Sequence, residues 1–175
     1  MAKILVTGRP GIGKTTLVLK VSEMLKERGV SVGGMITREV RRGGVRVGFE
    51  IIDVGSDRRG ILAWAGQGSG PRVGKYTVNL SDLETVGVSS IINALEKCQV
   101  VVIDEIGPME LFSAKFRDAV WKAFTSEKTV LATIHIRADR YEFCRRLKRL
   151  PEVRIFDLTL SNRDVLPMEI VKLIV

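Results

Sequence analysis

Residues 8–15 read Gly8-Arg9-Pro10-Gly11-Ile12-Gly13-Lys14-Thr15 and satisfy the pattern G-x-x-x-x-G-K-[ST] in full. The run before them, residues 3–7, is short and apolar and stops at a glycine, as a buried parallel strand would. After them, apolar residues recur at helical spacing over 17–25 until Gly29 ends the pattern. The sequence therefore predicts a strand, a glycine loop and a helix in succession. Residues 8–15 are called the phosphate loop below.

A loop of this kind is suited to holding a polyphosphate. Glycines let the backbone wrap closely around phosphate oxygens and aim its amide hydrogens inward, and the helix that follows adds the positive end of its dipole. Lys14 can bridge the β- and γ-phosphates, and the hydroxyl of Thr15 can ligate magnesium. The predicted nucleotide-binding residues of this segment are Gly8, Arg9, Pro10, Gly11, Ile12, Gly13, Lys14, Thr15 and Thr16.

A second constellation is an acidic pair, Asp104 and Glu105, which follows the apolar run 100–103. Because side chains alternate along a strand, the two carboxylates point in different directions and can do different jobs. Asp104 is placed to hold Mg²⁺ together with Thr15, and Glu105 to face the γ-phosphate and activate a water molecule. The predicted catalytic residues are thus Lys14 and Glu105, and both acids also count as nucleotide-binding. The plainer alternatives are an ordinary strand-end acid for Asp104 and a surface charge for Glu105.

Composition limits the classes of protein. The chain has 175 residues, of which 45% are hydrophobic and 27% charged, which suits one folded domain over 1–175. It has two cysteines and one histidine, too few for a disulfide framework or a histidine-based metal centre. Its longest unbroken aliphatic run, 100–103, is too short to cross a bilayer, and the opening residues lack a signal-peptide pattern. We therefore expect a cytoplasmic protein with no membrane contact.

The remaining pattern alternates strands with helices. Runs 34–39 and 45–54, joined by a glycine pair, predict a β-hairpin, and the glycine-rich residues 55–74 predict a mobile surface excursion. Ser81 and Glu84 form a capping-box pattern ahead of a helix. Ser113 is predicted to cap the helix that contains residues 116–124. The other predicted elements are strands at 100–103, 129–134 and 153–158, and helices near 143–150 and 164–174. The fold expected is α/β, with a mostly parallel sheet flanked by helices.

Beyond the phosphate loop, the block 104–113, Asp-Glu-Ile-Gly-Pro-Met-Glu-Leu-Phe-Ser, is more specific than a generic acidic strand end. With the segments 37–41, 46–49 and 72–76, it makes the chain resemble the THEP-type nucleoside-triphosphatases, relatives of the cancer-related nucleoside triphosphatase. The resemblance implies a RecA-like P-loop domain with an added hairpin near residues 34–54. It also implies Mg²⁺-dependent hydrolysis of nucleoside 5′-triphosphates (ATP, GTP, CTP and UTP) to diphosphate and phosphate. Gly107, within the block, joins the predicted nucleotide-binding set.

Two further residues of that set, Asn162 and Arg163, follow the last predicted strand, where a P-loop fold often contacts the base. A helix cap and a surface charge explain them almost as well. Arg72 and Lys75 are candidates for an arginine-finger equivalent, with ordinary loop charge as the plainer interpretation.

Other polar residues have two interpretations each. Thr37, Glu39 and Arg41 alternate on one face of the hairpin, where they line the nucleotide cleft or form a solvated face. His135 and Thr133 end a strand beside the phosphate loop, where one of them can contact phosphate or simply close the strand.

Three functional classes fit the sequence. Hydrolysis of the terminal phosphoanhydride is favoured, because Glu105 beside Asp104 suits water as the nucleophile. A nucleotide or nucleoside kinase would need an arginine-bearing lid, for which the cluster 145–149 is the one candidate. The net charge of +8 and that same cluster leave a nucleotide-switched nucleic-acid-binding module as a weaker alternative. We expect a monomer or a weak homo-oligomer, and no motif defines a base preference.

Overall fold

The computed structural model describes residues 1–66 and 68–175, and within these ranges nine strands form one sheet. Their order across the sheet is β5-β6-β4-β3-β2-β7-β8-β1-β9. The strands are β1 Lys3–Thr7, β2 Val32–Arg42, β3 Val45–Asp53, β4 Arg59–Ala65, β5 Arg72–Val73, β6 Tyr76–Val78, β7 Val100–Ile106, β8 Thr129–Ile134 and β9 Val153–Asp157.

Helices cover both faces of this sheet. One face carries α1 and α6, which pack with strand residues such as Ile4 and Ile36 in one apolar cluster, and the other face carries α3, α4 and α5 in a second. The helices are α1 Lys14–Glu27, α2 Leu80–Asp82, a π-helical turn Leu83–Val88 that continues into α3 Ser89–Lys97, α4 Ala114–Phe124, α5 Glu142–Lys148 and α6 Leu166–Ile174, with 3₁₀ turns at Glu110–Phe112 and Ala138–Arg140. The expected α/β fold is confirmed.

The parallel part of the sheet positions the predicted site. Strands β2, β7, β8, β1 and β9 run parallel, so their carboxyl ends meet at one edge. The phosphate loop follows β1 at that edge and leads into α1, and β7 carries Asp104 and Glu105 two strands away. Since β7 continues to Ile106, the acidic pair lies inside the strand rather than at its tip, where the sequence pattern had put it.

The rest of the sheet is antiparallel and larger than expected. The predicted hairpin is confirmed as β2 and β3, with Gly43 and Gly44 at its turn. The predicted surface excursion over 55–74 is wrong for 59–65, because β4 pairs with β3 and buries Leu62 and Ala63 in the core. Flanking glycines hid this strand, whose own residues are largely apolar. Residue 67 of the excursion lies outside the described part.

Of the two predicted helix N-caps, one is confirmed and the other is wrong. Ser113 caps α4 as predicted, since its hydroxyl accepts the N–H of Phe116 at 3.1 Å. The capping box of Ser81 and Glu84 is wrong, because the cap of α2 is Asn79, whose side-chain oxygen accepts the N–H of Asp82 at 2.9 Å. Glu84 instead accepts the hydroxyl of Ser113 at 3.1 Å and so links the π-helical turn to α4.

Lys3 of β1 is fully buried, with 1% of its surface exposed. Its ammonium donates to the carbonyls of Ala123 at 3.1 Å and Ser126 at 2.7 Å, and also to that of Lys128. Burial lowers the pKa of Lys3 from its ordinary value of 10.5, although the carboxylates of Glu152 and Glu127 oppose this effect. The Lys3 side chain thus links the start of β1 to the carboxyl end of α4 and to the residues that precede β8.

None of the helices in the two described ranges is long and apolar enough to pass through a membrane.

Candidate active site

The phosphate loop has the tight backbone that its glycines predict. Gly13 has a φ of 111°, which an L-residue rarely adopts, and the next residue opens α1. At Gly8 a side chain would place its Cβ 2.9 Å from the carbonyl oxygen of Leu158, so only glycine fits beside the loop after β9. The loop therefore brings its backbone N–H groups to the start of a 14-residue helix, the usual geometry of an anion site.

Lys14 spans the gap between the phosphate loop and the acidic pair. Its ammonium donates to the carbonyl of Gly8 at 2.9 Å and lies 3.4 Å from that of Arg9. It also lies 3.8 Å from Oε2 of Glu105, and only 10% of its side chain is exposed. A positive charge is thus held where the β- and γ-phosphates of a bound nucleotide are expected.

Asp104 is the centre of a buried hydrogen-bond network. Its Oδ2 accepts the hydroxyl of Thr15 at 2.7 Å and the backbone N–H of Thr37 at 3.5 Å, and its Oδ1 accepts the hydroxyl of Thr133 at 2.6 Å. Burial raises the pKa of Asp104, while these hydrogen bonds and the charge of Lys14 oppose the rise. The network fixes the direction of a carboxylate at the end of the loop.

The donor set fits magnesium. A threonine hydroxyl and a carboxylate are hard oxygen ligands, and Mg²⁺ is usually held by one or two protein oxygens together with substrate phosphates and water. Thr15 and Asp104 supply two such oxygens 2.7 Å apart, beside the loop where the phosphates are expected.

Glu105 has the properties of a general base. Burial raises its pKa from 4.5 to about 7, the nearby carboxylate of Asp104 adds to the rise, and Lys14 opposes it. A quarter of its side chain is exposed, so a water molecule can reach it. A carboxyl group with a pKa near neutrality takes and returns protons efficiently.

Sequence reasoning did not single out Glu110, which also lines the cavity. Only 4% of the residue is exposed, and burial together with the charge of Glu105 raises its pKa well above 4.5. A side chain at Gly107 would place its Cβ 2.8 Å from Oε1 of Glu105 and 3.2 Å from Oε2 of Glu110. Gly107 therefore leaves room for two carboxyl groups side by side, and only the three-dimensional structure shows this pairing.

These groups surround one cavity of about 580 Å³. Its wall is formed by the phosphate loop, by the acidic pair, and by residues of the hairpin and of the neighbouring strands β4 and β5. The predicted nucleotide-binding residues in its wall are Gly8, Pro10, Gly11, Gly13, Lys14, Thr15, Thr16, Asp104 and Glu105.

The other predicted site residues lie elsewhere. Arg9 is exposed, Ile12 is buried in the apolar cluster with α1, and Gly107 lies next to Glu105 and Glu110 without lining the cavity. Asn162 closes the loop after β9, since its amide donates to the carbonyl of Asp157 at 2.7 Å and its side-chain oxygen accepts the N–H of Thr159 at 2.8 Å. Arg163, next to it, is exposed, and neither residue of this pair lines the cavity.

The hairpin contributes Thr37 and Glu39 to the cavity wall. Arg41 does not line the cavity, and its guanidinium forms an ion pair with Glu39 at 3.0 Å.

The two candidates for an arginine finger that the sequence suggested do not line the cavity either. Arg72 donates to the carbonyl of Gly66 at 3.2 Å, and Lys75 lies 5.4 Å from the ring centre of Tyr76.

His135 lines the cavity, whereas Thr133 beneath it turns to Asp104. The Nδ1 atom of His135 accepts the N–H of Arg137 at 3.1 Å, so the neutral ring carries its proton on Nε2. Burial, followed by the charges of Lys14 and two arginines, lowers its pKa from 6.5. The imidazole is therefore a neutral hydrogen-bond donor near the predicted phosphate position.

The basic cluster on α5 lies apart from the cavity. Arg145 donates to the carbonyl of Asp139 at 2.7 Å, Lys148 binds the Asp139 carboxylate at 2.8 Å, and Arg146 stacks 5.0 Å from the ring centre of Trp121. These contacts hold the cluster against the 3₁₀ turn and α4, so it does not form a lid over the site.

A phosphate loop at a helix start, facing a strand with adjacent Asp and Glu, defines the P-loop nucleoside-triphosphatase class. Comparison with known proteins agrees: residues 3–171 match the family described as NTPase. The nucleoside-triphosphatase THEP1 of Thermofilum pendens is 54% identical over 168 residues, which cover 96% of this chain and 92% of that protein. Its counterpart in Methanocaldococcus jannaschii is 44% identical over 168 residues, covering 96% and 94%.

Two solved structures have the same fold. THEP1 from Aquifex aeolicus superposes with a TM-score of 0.87 at 39% identity, covering 98% of each chain. The human cancer-related nucleoside triphosphatase does so with a TM-score of 0.82 at 38% identity, covering 99% of this chain and 97% of the other. The chain belongs to the THEP1 family of nucleoside-triphosphatases, and it is an enzyme of that class. The resemblance seen in the sequence is thereby confirmed.

Proposed function

We propose that the protein hydrolyses nucleoside 5′-triphosphates, including ATP, GTP, CTP and UTP, to the diphosphate and phosphate in a Mg²⁺-dependent reaction. The observation that carries this proposal is the pair of contacts at the start of α1. There the Thr15 hydroxyl lies 2.7 Å from the Asp104 carboxylate, and the Lys14 ammonium lies 3.8 Å from the Glu105 carboxylate.

Each group has one task in this proposal. The N–H groups of the phosphate loop and the ammonium of Lys14 bind and neutralise the triphosphate. Thr15 and Asp104 would hold a Mg²⁺ ion bound with the nucleotide, which would supply positive charge to stabilise the phosphate oxygens. Thr133 keeps the Asp104 carboxylate pointed at that position.

Glu105 supplies the base. Its carboxylate accepts a proton from water, the water oxygen bonds to the γ-phosphorus, and the bond from that phosphorus to the β–γ bridging oxygen breaks. The products are the nucleoside diphosphate and inorganic phosphate. A pKa of about 7 suits both the uptake and the later release of this proton near neutral pH.

The range of bases is supported by two observations. The relatives are named nucleoside-triphosphatases without reference to a particular base. The groups assigned above act on phosphates, metal and water, so the chemistry does not depend on the identity of the base.

The test is phosphate release from a panel of tri- and diphosphates with Mg²⁺ or with a chelator. We expect release from all four triphosphates, only with Mg²⁺. Lys14→Ala should abolish it, while Lys20→Ala, an exposed lysine of the same helix, should not. Glu105→Gln should keep nucleotide binding and lose turnover by a factor of about 100 or more. Release that persists in the chelator, or phosphate that appears only on an added nucleoside, would refute the proposal, and the second result would favour a kinase.

A further inference from the structure

One arginine of the cavity wall has no assigned task. Arg38 and Arg46 both line the cavity, but only Arg46 is engaged there. The Arg46 guanidinium donates to the Tyr76 hydroxyl at 2.8 Å and to Glu39 at 3.1 Å. Within residues 1–66 and 68–175, the side chain of Arg38 has neither a hydrogen bond nor an ion pair, and it is exposed to the cavity.

The backbone beside Arg38 is fixed to the predicted metal ligand. The β2–β7 pairing ends where Met35 is level with Ile103, two residues before Thr37. The N–H of Thr37 donates to Oδ2 of Asp104 at 3.5 Å. Arg38 therefore begins one residue beyond the N–H group that binds the Asp104 carboxylate.

The side chain of Arg38 also belongs to the correct face of the sheet. Ile36 packs in the apolar cluster that contains Leu17 of α1. Because side chains alternate along a strand, Arg38 lies on the same face as Ile36, whereas Glu39 lies on the opposite face. This is the face on which α1 begins and where Thr15 meets Asp104. A long cationic side chain there is directed to the phosphate side of the cavity.

We propose that Arg38 is a catalytic arginine, supplied by the hairpin of the same chain, which binds the γ-phosphoryl oxygens as negative charge spreads over them in the transition state. This inference rests on the proposed hydrolysis. The guanidinium exchanges no proton; it stabilises charge through paired N–H donors, as arginine does on phosphate generally. It takes the place that sequence reasoning had offered to Arg72 or Lys75, which lie outside the cavity wall.

The test compares Arg38→Ala with Arg42→Ala, since Arg42 is on the same strand but stacks on Trp64, 5.2 Å from its ring centre, and does not line the cavity. We expect Arg38→Ala to lower kcat for ATP by about 10³, the lower end of what such an arginine contributes, with little change in KM. Arg42→Ala should retain the wild-type kcat. Thermal unfolding of all variants checks that the fold is intact.

Two additional measurements separate direct contact from a structural effect. Arg38→Lys should recover only a small part of the rate, because an ammonium cannot bind two oxygens as a planar fork does. Millimolar guanidinium ion should raise the kcat of Arg38→Ala and leave Arg42→Ala unaffected. An unchanged kcat, a loss confined to KM, or a loss of kcat that guanidinium does not restore would each overturn the assignment. If the wild type releases no phosphate with Mg²⁺, the proposed hydrolysis itself fails, which is a separate result.

Discussion

Replacing Glu105 with glutamine should stabilise the protein while it inactivates the enzyme. Burial favours the neutral form of Glu105, and it therefore raises the pKa of this carboxyl group from 4.5 to about 7 on folding. At pH 8 the side chain is ionised in both states, so the folded protein carries a charge that its site disfavours. Glutamine has nearly the same shape and removes that charge.

The size of the increase in the free energy of unfolding follows from the change in pKa. At 1.36 kcal/mol per pKa unit, the rise from 4.5 to about 7 limits this increase to about 3.4 kcal/mol at pH 8. A quarter of the side chain is exposed, so solvent screening reduces this, and we expect about 2 kcal/mol. For a chain of this size, that gain raises Tm by roughly 4–8 °C.

The gain also has a defined pH dependence. Between pH 4.5 and about 7 the folded state binds more protons at Glu105 than the unfolded state does, so the wild type loses stability as pH rises through this window. Glu105→Gln should therefore match the wild type near pH 4.5 and exceed it increasingly up to pH 8.

The assay is urea unfolding of both proteins from pH 4.5 to 8, without Mg²⁺ or nucleotide. Glu96→Gln, at an exposed position near the end of α3, is the matched control and should show no such trend. A difference in the free energy of unfolding that does not change with pH, or a less stable variant at pH 8, would show that burial of the Glu105 charge is not the cause.

Two more substitutions test buried polar side chains. Thr133→Val removes the 2.6 Å hydrogen bond to the carboxylate of Asp104 and should lower the free energy of unfolding by about 1.5–3 kcal/mol, measured in urea. Equal stability of that variant would mean that water or another donor replaces the hydroxyl. Lys3→Met keeps the bulk of the side chain but leaves three carbonyls without their donor, and we expect a loss of about 2 kcal/mol or more. A variant as stable as the wild type would show that the desolvation free energy of the Lys3 ammonium cancels the free energy of its hydrogen bonds.

The parts of the structure that follow from local sequence were predictable. The phosphate loop needs glycines at set positions and a helix start, and both are written into eight consecutive residues. Buried parallel strands are continuous apolar runs, which located β7 and β8. The cap at Ser113 also needs only a nearby N–H.

What the sequence did not predict depends on contacts between distant segments. The raised pKa of Glu110 comes from burial and from a neighbour across Gly107, which residue spacing does not reveal. Likewise, Thr133 is 29 positions from the aspartate it holds. The strand β4 was missed because glycines flank it and its pairing partner β3 is itself only half apolar. Sequence located the site, and the fold determined which side chains share it.

Strand β2 belongs both to the hairpin and to the parallel part of the sheet. Its first four residues pair with β7, residues 35–42 pair with β3, and the N–H of Thr37 donates to the carboxylate of Asp104. An insertion at the turn, near Gly43, lies beyond these bonds and should leave the enzyme working. A truncation reaching Thr37 would expose the edge of β7 and remove the N–H group that binds the Asp104 carboxylate. The turn of the hairpin is therefore a place to insert residues, whereas the hairpin itself is needed for the site.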